Sequence, residues 1–312
     1  MNILAIVAAL GLEQWRAFQW RGAVQRAFVR YAHALERRFN AGTARQGAIA
    51  AALALVPPVA IGAGVYFALD SVHPLLGLVW DVAILYLLLG FRHFSHAFSA
   101  IAEALKNGDA LAARRHLSAW CGTQVYGATA AELPKLAIEQ GIRDSYRYVF
   151  GTLFWFLVLP GPAGALVYRL AALLAEHWRG NPATPMGHAL EEFAKPARRL
   201  LFILDWVPVR ATAFTFAIVG DFEDAIYCWR TQAKAWGSLH EGILLASGAG
   251  ALGAHLGGTV TGTTGEPEFR PDLGLGDPAD AEIMPSAVGL VWRALLVWLA
   301  LVLLLTLAYW AP

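Results

Sequence analysis

The chain has 312 residues, of which 57% are hydrophobic and 15% charged, and its mean hydropathy is +0.49. Because soluble domains carry about 25% charged residues, this composition excludes a protein that meets water on every side. The net charge is only +1, whereas nucleic-acid-binding domains are strongly basic, so no nucleic acid is expected as a partner. We therefore predict an all-α, polytopic membrane protein whose main partner is the lipid bilayer.

Three segments are long and apolar enough to form membrane-spanning helices, which need about 20 residues. The first covers 47–69 and contains Pro57-Pro58, which we expect to kink it. The second covers 74–91. The third belongs to a C-terminal transmembrane helix over 286–312, which ends in the aromatic pair Tyr309-Trp310, as is typical of a membrane interface.

Two further apolar segments are interrupted, which gives four or five spans in total. Pro160-Gly161-Pro162 divides 148–168, so this segment forms either a kinked span or a re-entrant hairpin. The segment 200–220 contains the charged residues Asp205 and Arg210. Ionisable residues in apolar segments pair or face a cavity and are candidates for a binding site. Alternatively, the segment lies in the membrane interface and both charges face water.

The distribution of arginine predicts the orientation. Residues 13–46 carry an excess of arginine over acidic residues, and 92–147 also carry more basic than acidic groups. By the positive-inside rule both are cytoplasmic helical segments, and the connection 70–73, which has no Lys or Arg, faces outward. Residues 253–285 are rich in Gly, Thr and Pro and are expected to form a hydrophilic loop.

Two groups of polar residues lie within the second cytoplasmic segment. His93 and His96 are three residues apart and therefore share a helix face. One interpretation is that the pair supplies half of a metal site, which needs three or four ligands. The other is that both histidines are titratable residues on a helix surface near the membrane. Glu139, Asp144 and Arg147 either form an acidic pocket that suits Mg²⁺ and a phosphate or mark where a helix leaves the lipid.

Several short segments follow one another in an order that is typical of one family. They are 102–109 with 114–117, 153–156, 204–210, 249–258 and 270–274. This ordered set resembles the CobD/CbiB family, the membrane-bound adenosylcobinamide-phosphate synthases of cobalamin biosynthesis. The resemblance runs from about Arg92 to the end of the chain and implies one membrane domain over 1–312 in the bacterial inner membrane.

Two polar elements of that family differ here. Residues 139–144 replace an acidic-Asn-x-x-Asp-Gly element with altered spacing, and apolar 170–175 replace an Asn-Thr-x-Asp element. In the synthases, such polar residues are natural candidates for binding Mg²⁺, nucleotide or corrinoid. At 92–96, 146–148 and 205–210 the sequence is similar instead to the AmpE proteins, membrane components linked to β-lactamase induction.

The resemblance leaves two functions open. The altered polar elements favour a non-catalytic or sensory AmpE-like protein, with a cell-wall-derived ligand and a homo-oligomer left open. The alternative is a divergent synthase that uses ATP and Mg²⁺ to join aminopropanol phosphate to the carboxyl group of the corrinoid adenosylcobyric acid.

For the synthase, the resemblance implies that Glu139 and Asp144 hold Mg²⁺ and that Arg210 meets a phosphate. His96 or Asp109 would support the cytoplasmic helices. The predicted ligand-binding residues are thus His96, Asp109, Arg147, Asp205 and Arg210.

Overall fold

The structure is a computed structural model that describes residues 2–16, 18, 20–122, 125, 127–178, 185–261 and 267–310, with the side chains of all of these except 93, 185–189, 267, 309 and 310. The described chain is predominantly helical, which confirms the predicted fold class. In chain order its α-helices are α1 (Asn2–Trp15), α2 (Arg21–Phe39), α3 (Ala44–Val72), α4 (Pro74–Leu88), α5 (Phe91–Lys106), α6 (Ala110–Cys121), α7 (Leu133–Ser145), α8 (Gly151–Val158), α9 (Ala163–His177), α10 (Pro185–Val219), α11 (Phe222–Gln232), α12 (Leu239–Leu252) and α13 (Met284–Trp310).

Three of these helices are long and apolar enough to cross a bilayer. They are α3, the part of α10 over Leu190–Val219, and α13 over Met284–Ala308, counted within the described residues by length and composition. Helices α1 and α4 are also apolar but shorter. The protein is therefore a helical membrane protein.

The observed helices refine the predicted spans. Helix α3 contains the whole of 47–69 and continues through Pro57 and Pro58, where the expected kink stays a prediction. The span expected at 74–91 is a helix of 15 residues. Such a helix is about 22 Å long, less than the roughly 30 Å of the hydrocarbon core. By length and composition, the described residues thus contain three candidate spans together with the shorter apolar α1 and α4, and the total of four or five stays a prediction.

The apolar segment 148–168 is broken at its proline pair. Helix α8 ends at Val158, α9 begins at Ala163, and the two helices pack against each other. Gly161 makes the turn with a φ of 58°, a left-handed conformation that glycine adopts without steric cost. A Cβ atom at Gly164 would overlap the carbonyl group of Trp155, so the two helix backbones approach closely. This arrangement corresponds to the hairpin alternative.

Contacts between residues divide the chain into two compact units. Unit 1 comprises Met1–Leu89 and Arg147–Trp206, and unit 2 comprises Gly90–Tyr146 and Val207–Pro312. Helix α10 contributes residues to both units. The single domain expected over 1–312 stays a prediction.

In unit 1, a buried arginine holds the start of α2 against the end of α4. The guanidinium group of Arg21 forms an ion pair with the fully buried Glu13 (Nη2–Oε1 3.0 Å). It also donates to the carbonyl oxygens of Tyr86 and Leu87, both at 3.1 Å. The last carbonyl groups of a helix have no partner within it and carry partial negative charge, so a cation is stabilising there.

In unit 2, the segment that was expected to be a hydrophilic loop contains a small sheet. Its strands are β1 (Ala254–Thr261), β2 (Pro267–Leu273) and β3 (Asp277–Pro278), in the order β2-β1-β3. Strands β1 and β2 pair antiparallel with a bulge between Leu256 and Gly258, and β3 pairs parallel with β1. The glycines that suggested a loop supply the bulge, since Gly257 and Gly258 both have a φ of 76°.

Candidate functional site

A buried carboxylate lies where α7 meets the sheet of unit 2. The side chain of Glu139 is fully buried and accepts two hydrogen bonds from the guanidinium group of Arg270, at 2.7 and 3.2 Å. Arg143, one turn further along α7, donates a third at 3.2 Å. The backbone N–H of Gly257 donates a fourth at 3.3 Å. We call Glu139, Arg143, Gly257 and Arg270 the Glu139 cluster.

The local structure explains why these groups converge. Residues 139 and 143 are four apart on a helix and therefore share a face. The β-bulge at Gly257 turns its N–H toward α7, and the register of the hairpin sets Arg270 opposite Gly258. The guanidinium group of Arg270 also lies 5.7 Å from the centre of the Trp236 ring. A buried carboxylate is stable only when its oxygens are satisfied in this way.

The two predicted Mg²⁺ ligands have different hydrogen-bond partners, and an ion shared between them stays a prediction. Glu139 is already surrounded by two guanidinium groups, and a cation there would be repelled. Asp144 instead accepts hydrogen bonds from Trp120 Nε1 at 2.8 Å and from Gln140 Nε2 at 3.0 Å. Five residues along a helix correspond to a rotation of about 140°, so the two carboxylates leave α7 in different directions. The described residues also contain no cluster of three or more potential ligands of the types His, Cys, Asp and Glu.

Three other predicted residues in unit 2 lie on separate elements. His96 is exposed on α5 and lies 3.0 Å from Arg92 Nε through its Nε2 atom, while the side chain of His93 is outside the described part. Asp109 caps α6 by accepting from the N–H of Ala112 at 2.8 Å. These two residues support helical structure.

The third of these residues, Arg210, lies on α10 near a buried histidine. His240, on α12, is only 4% exposed. Burial, followed by the charge of Arg210, lowers the pKa of His240 to about 4. The imidazole is therefore neutral at physiological pH, and Arg210 is the cation of this pair.

The two remaining predicted residues, Arg147 and Asp205, belong to unit 1. Asp205 is buried and accepts a hydrogen bond from the hydroxyl group of Tyr168 at 3.0 Å. Arg147 lies in a π-helical turn over Tyr146–Phe150. Such turns free a backbone carbonyl group, and that of Arg147 accepts from Thr152 Oγ1 at 3.1 Å and from Arg169 Nη1 at 3.3 Å.

An open groove runs between α5 and the start of α13. Its volume is about 380 Å³, and it is lined by Phe98, Ser99, Ala102, Glu103, Lys106, Pro285 and Val288. The groove therefore offers apolar walls together with one carboxylate and one ammonium group. Three of its lining residues, Ala102, Glu103 and Lys106, belong to 102–109, one of the segments by which the chain resembles its family.

Sequence analysis missed three arginines of these sites. Arg143 and Arg270 complete the Glu139 cluster, and Arg169 lies over the ring of Tyr148 at 4.0 Å from its centre. Arg270 lies within the resembling segment 270–274, but nothing in the sequence pairs it with a residue 131 positions away.

These features define a helical membrane protein with a buried arginine–carboxylate cluster between a polar helix and a β-hairpin. The comparisons with known proteins give its family. The sequence profile of the CobD/Cbib proteins matches residues 7–291, and the chain belongs to this family.

Its relatives cover most of the chain. The cobalamin biosynthesis protein CobD of Stutzerimonas stutzeri is 33% identical over 304 residues, which is 96% of each chain. The protein of the same name from Chromobacterium violaceum is 36% identical, over 73% of this chain and 71% of its own. That of Geobacter metallireducens is 28% identical, over 74% and 73%. No solved structure matches.

Proposed function

We propose that this protein is a membrane-bound amide ligase of cobalamin biosynthesis, an adenosylcobinamide-phosphate synthase of the bacterial inner membrane. The observation that carries the proposal is the 33% identity, over 96% of both chains, to a protein named cobalamin biosynthesis protein CobD. A relationship over the full length favours a shared activity more than the AmpE-like segments favour a sensory role.

In the proposed reaction, an amide bond forms between the amine of aminopropanol phosphate and the carboxyl group of adenosylcobyric acid, driven by ATP hydrolysis. Both ATP and aminopropanol phosphate are anionic, so the site needs fixed cations. Arg143 and Arg270 are suitable, because Glu139 holds both guanidinium groups in place. The Nε–H of Arg270 has no acceptor among the described residues, and the Nε atom of Arg143 forms only an ion pair with Glu241 Oε2 at 4.0 Å. A guanidinium group matches phosphate geometry well.

The groove between α5 and α13 suits the smaller substrate. Aminopropanol phosphate carries an ammonium group and a phosphate, and Glu103 and Lys106 on the groove wall offer the opposite charges. Its volume of about 380 Å³ is at the lower end of the range for small-molecule sites. Lys106→Gln is therefore expected to raise the KM for aminopropanol phosphate while leaving the KM for ATP unchanged.

A second function is favoured by a separate observation. In the altered acidic element, the carboxylate of Glu139 already binds the guanidinium groups of Arg143 and Arg270. The element at 170–175 is apolar. A chain that has lost Mg²⁺ ligands in this way would serve as a non-catalytic, AmpE-like sensor of a cell-wall-derived ligand. A ligase can still use Mg²⁺ in this case, because Mg²⁺ can enter the site bound mainly to the phosphates of ATP. It then needs only one or two carboxylates from the protein.

One assay distinguishes the two functions. The purified protein in detergent is incubated with adenosylcobyric acid, aminopropanol phosphate, ATP and Mg²⁺, beside an established synthase, and the product is identified by mass spectrometry. We expect the amide product. Absence of product, with the established synthase active, would overturn the ligase proposal and favour the sensory role.

Variants then locate the site. Arg270→Gln should reduce the rate at least tenfold, and Arg115→Gln, an exposed arginine of α6, should leave it unchanged. If Glu139→Ala with Asp144→Ala left the amidation intact, neither carboxylate would be a Mg²⁺ ligand.

A further inference from the structure

Helix α2 is held against the α3–α4 hairpin at two points. Near its start, Arg21 donates to the carbonyl groups of Tyr86 and Leu87 at the end of α4. In its second half, the hydroxyl group of Tyr31 donates to the carbonyl oxygen of Leu53 in α3 at 2.8 Å. The two anchoring residues are ten positions apart, which is about 15 Å along a helix.

Both points lie far from the turn of the hairpin. Helices α3 and α4 are joined by His73 alone and run antiparallel, and Trp80 Nε1 donates to the carbonyl oxygen of Gly62 at 3.0 Å. Counted from the turn at His73, Leu87 lies about 21 Å and Leu53 about 30 Å along the hairpin. Helix α2 is therefore held at the end of the hairpin opposite its turn.

This height agrees with the edge of a hydrocarbon core. From residue 55 to the outer end of α3 at Val72 there are 17 residues, or about 26 Å of helix, and a hydrocarbon core is about 30 Å thick. A helix that is held at this level lies at the membrane surface.

The exposed surface of α2 has a basic side. Arg26, Arg30 and Arg37 project within about 40° of one another around the helix axis. All three side chains are exposed, and no carboxylate among the described residues forms an ion pair with them. We call these three residues the arginine stripe.

On the other side of α2, apolar side chains are exposed. Val24 and Tyr31 are partly exposed there, and Trp20 just before the helix is 69% exposed. Trp15, at the end of α1, is 85% exposed. Tryptophans of this kind are typical of the membrane–water interface, and a helix with an exposed apolar flank and a basic flank is typical of one that lies in it.

We propose that α2 is an interfacial helix whose arginine stripe binds the headgroups of anionic phospholipids. The apolar flank enters the edge of the acyl region, while the stripe reaches the phosphate groups. This surface is independent of the proposed ligase reaction, since it lies in unit 1 and includes none of the residues assigned to that reaction. Each basic residue at an anionic surface strengthens binding about fivefold, so three contribute roughly 100-fold.

Native mass spectrometry of the full-length protein tests the lipid preference. The detergent-solubilised protein is equilibrated with equimolar phosphatidylglycerol and phosphatidylcholine, and the bound lipids are counted. We expect phosphatidylglycerol to be preferred, and the variant R26Q/R30Q/R37Q to lose at least tenfold of that preference. The matched control R115Q/R230Q/K234Q removes three exposed positive charges from unit 2 and should keep it. Equal preference in the parent and the stripe variant would overturn the proposal.

A second measurement tests the depth of α2 without changing its charges. In a C121S/C228A background, nitroxides are attached to V24C or H33C in nanodiscs that contain phosphatidylglycerol. We expect the label at position 24 to be accessible to oxygen, as in the acyl region, and the label at position 33 to be accessible to a nickel chelate in water. Equal accessibility of both labels to the chelate would place α2 in water and overturn the proposal. If the arginine stripe instead bound an acidic protein, both labels would be equally accessible to the chelate. The stripe variant would then also keep the lipid preference of the parent protein.

Discussion

Glu139 illustrates how a buried charge is tolerated in this protein. Its carboxylate has no exposed surface, yet each oxygen accepts hydrogen bonds from charged or backbone donors. Removing one partner of such a cluster leaves the others charged and unsatisfied, which costs more than the cluster contributes when complete. The same hydrogen bonds hold the guanidinium groups of Arg143 and Arg270 in place.

We predict that Glu139→Ala destabilises the protein by about 3–5 kcal/mol, because the variant buries two guanidinium groups without their carboxylate. The matched control is Glu132→Ala, whose carboxylate accepts, among the described residues, from uncharged groups of Thr129 and Thr261. It should cost only about 1 kcal/mol. Both are measured by SDS titration in mixed micelles. A loss below 1 kcal/mol for Glu139→Ala would contradict the buried cluster.

His240 makes the stability depend on pH. Its pKa is lowered to about 4 in the folded protein, chiefly by burial, from about 6.5 in an unfolded chain. Between these values the unfolded state binds more protons, so stability rises with pH across this window and is lost as pH falls from 6.5 toward 4. Protonation of His240 in the unfolded chain lowers the free energy of unfolding by at most about 3 kcal/mol.

We therefore expect His240→Gln to flatten the pH dependence of stability between pH 6.5 and 4, since glutamine does not titrate. Thermal unfolding in detergent at pH 7 and pH 5 measures this. The control is His116→Gln, at an exposed position of α6, which should retain the slope of the parent protein. An unchanged slope in His240→Gln would show that another group causes the acid sensitivity.

At the scale of elements, small residues decide how the helices approach one another. In unit 1, α8 and α9 form a hairpin because Pro160 and Pro162 interrupt the apolar run and Gly161 makes the turn. Close packing then depends on Gly164, whose missing side chain admits the backbone of α8. Membrane helices use small residues in this way, because lipid gives no hydrophobic force between helices.

Gly164→Ala is predicted to destabilise the hairpin by about 2 kcal/mol or more, because the new methyl group overlaps a backbone atom that cannot move freely. Gly64→Ala in α3 is the matched control, since a Cβ atom there meets nothing within 4 Å. It should be neutral or stabilise by up to about 1 kcal/mol through helix propensity. SDS titration of both variants tests this, and equal stabilities would argue against close packing.

At the scale of the whole molecule, arginine-rich segments and a turn without Lys or Arg predict the topology. The connection 40–43 precedes α3 on its basic side, and residues 70–73, at the other end of α3, contain no Lys or Arg. The positive-inside rule depends on such local charges and not on net charge, so the overall value of +1 does not weaken it.

We expect Ala41→Cys to be cytoplasmic and Ser71→Cys to face outward. In a C121S/C228A background, a membrane-impermeant maleimide added to intact cells should label Ser71→Cys at once and Ala41→Cys only after permeabilisation. Both positions are exposed, so access to the side chain is not limiting. The reverse pattern would invert the orientation and move the arginine stripe to the outer face.

The sequence by itself determined the class of the protein, its family and the positions of its long apolar helices. The apolar run 47–69 lies inside α3, and the family resemblance drawn from short segments agrees with the profile match over 7–291. These features follow from local composition and order along the chain. Burial of apolar side chains in lipid needs only a long apolar helix, whatever its neighbours are.

Only the tertiary structure decided which charged groups meet. Glu139 and Arg270 are 131 positions apart, and the pairing depends on a β-bulge at Gly257 within a segment whose glycines indicated a loop. It likewise gave different hydrogen-bond donors to Glu139 and Asp144, which the sequence had joined as ligands of one ion. The physical reason is that charges interact through space at a few ångströms, and spacing along a chain fixes such distances only within one helix or one turn.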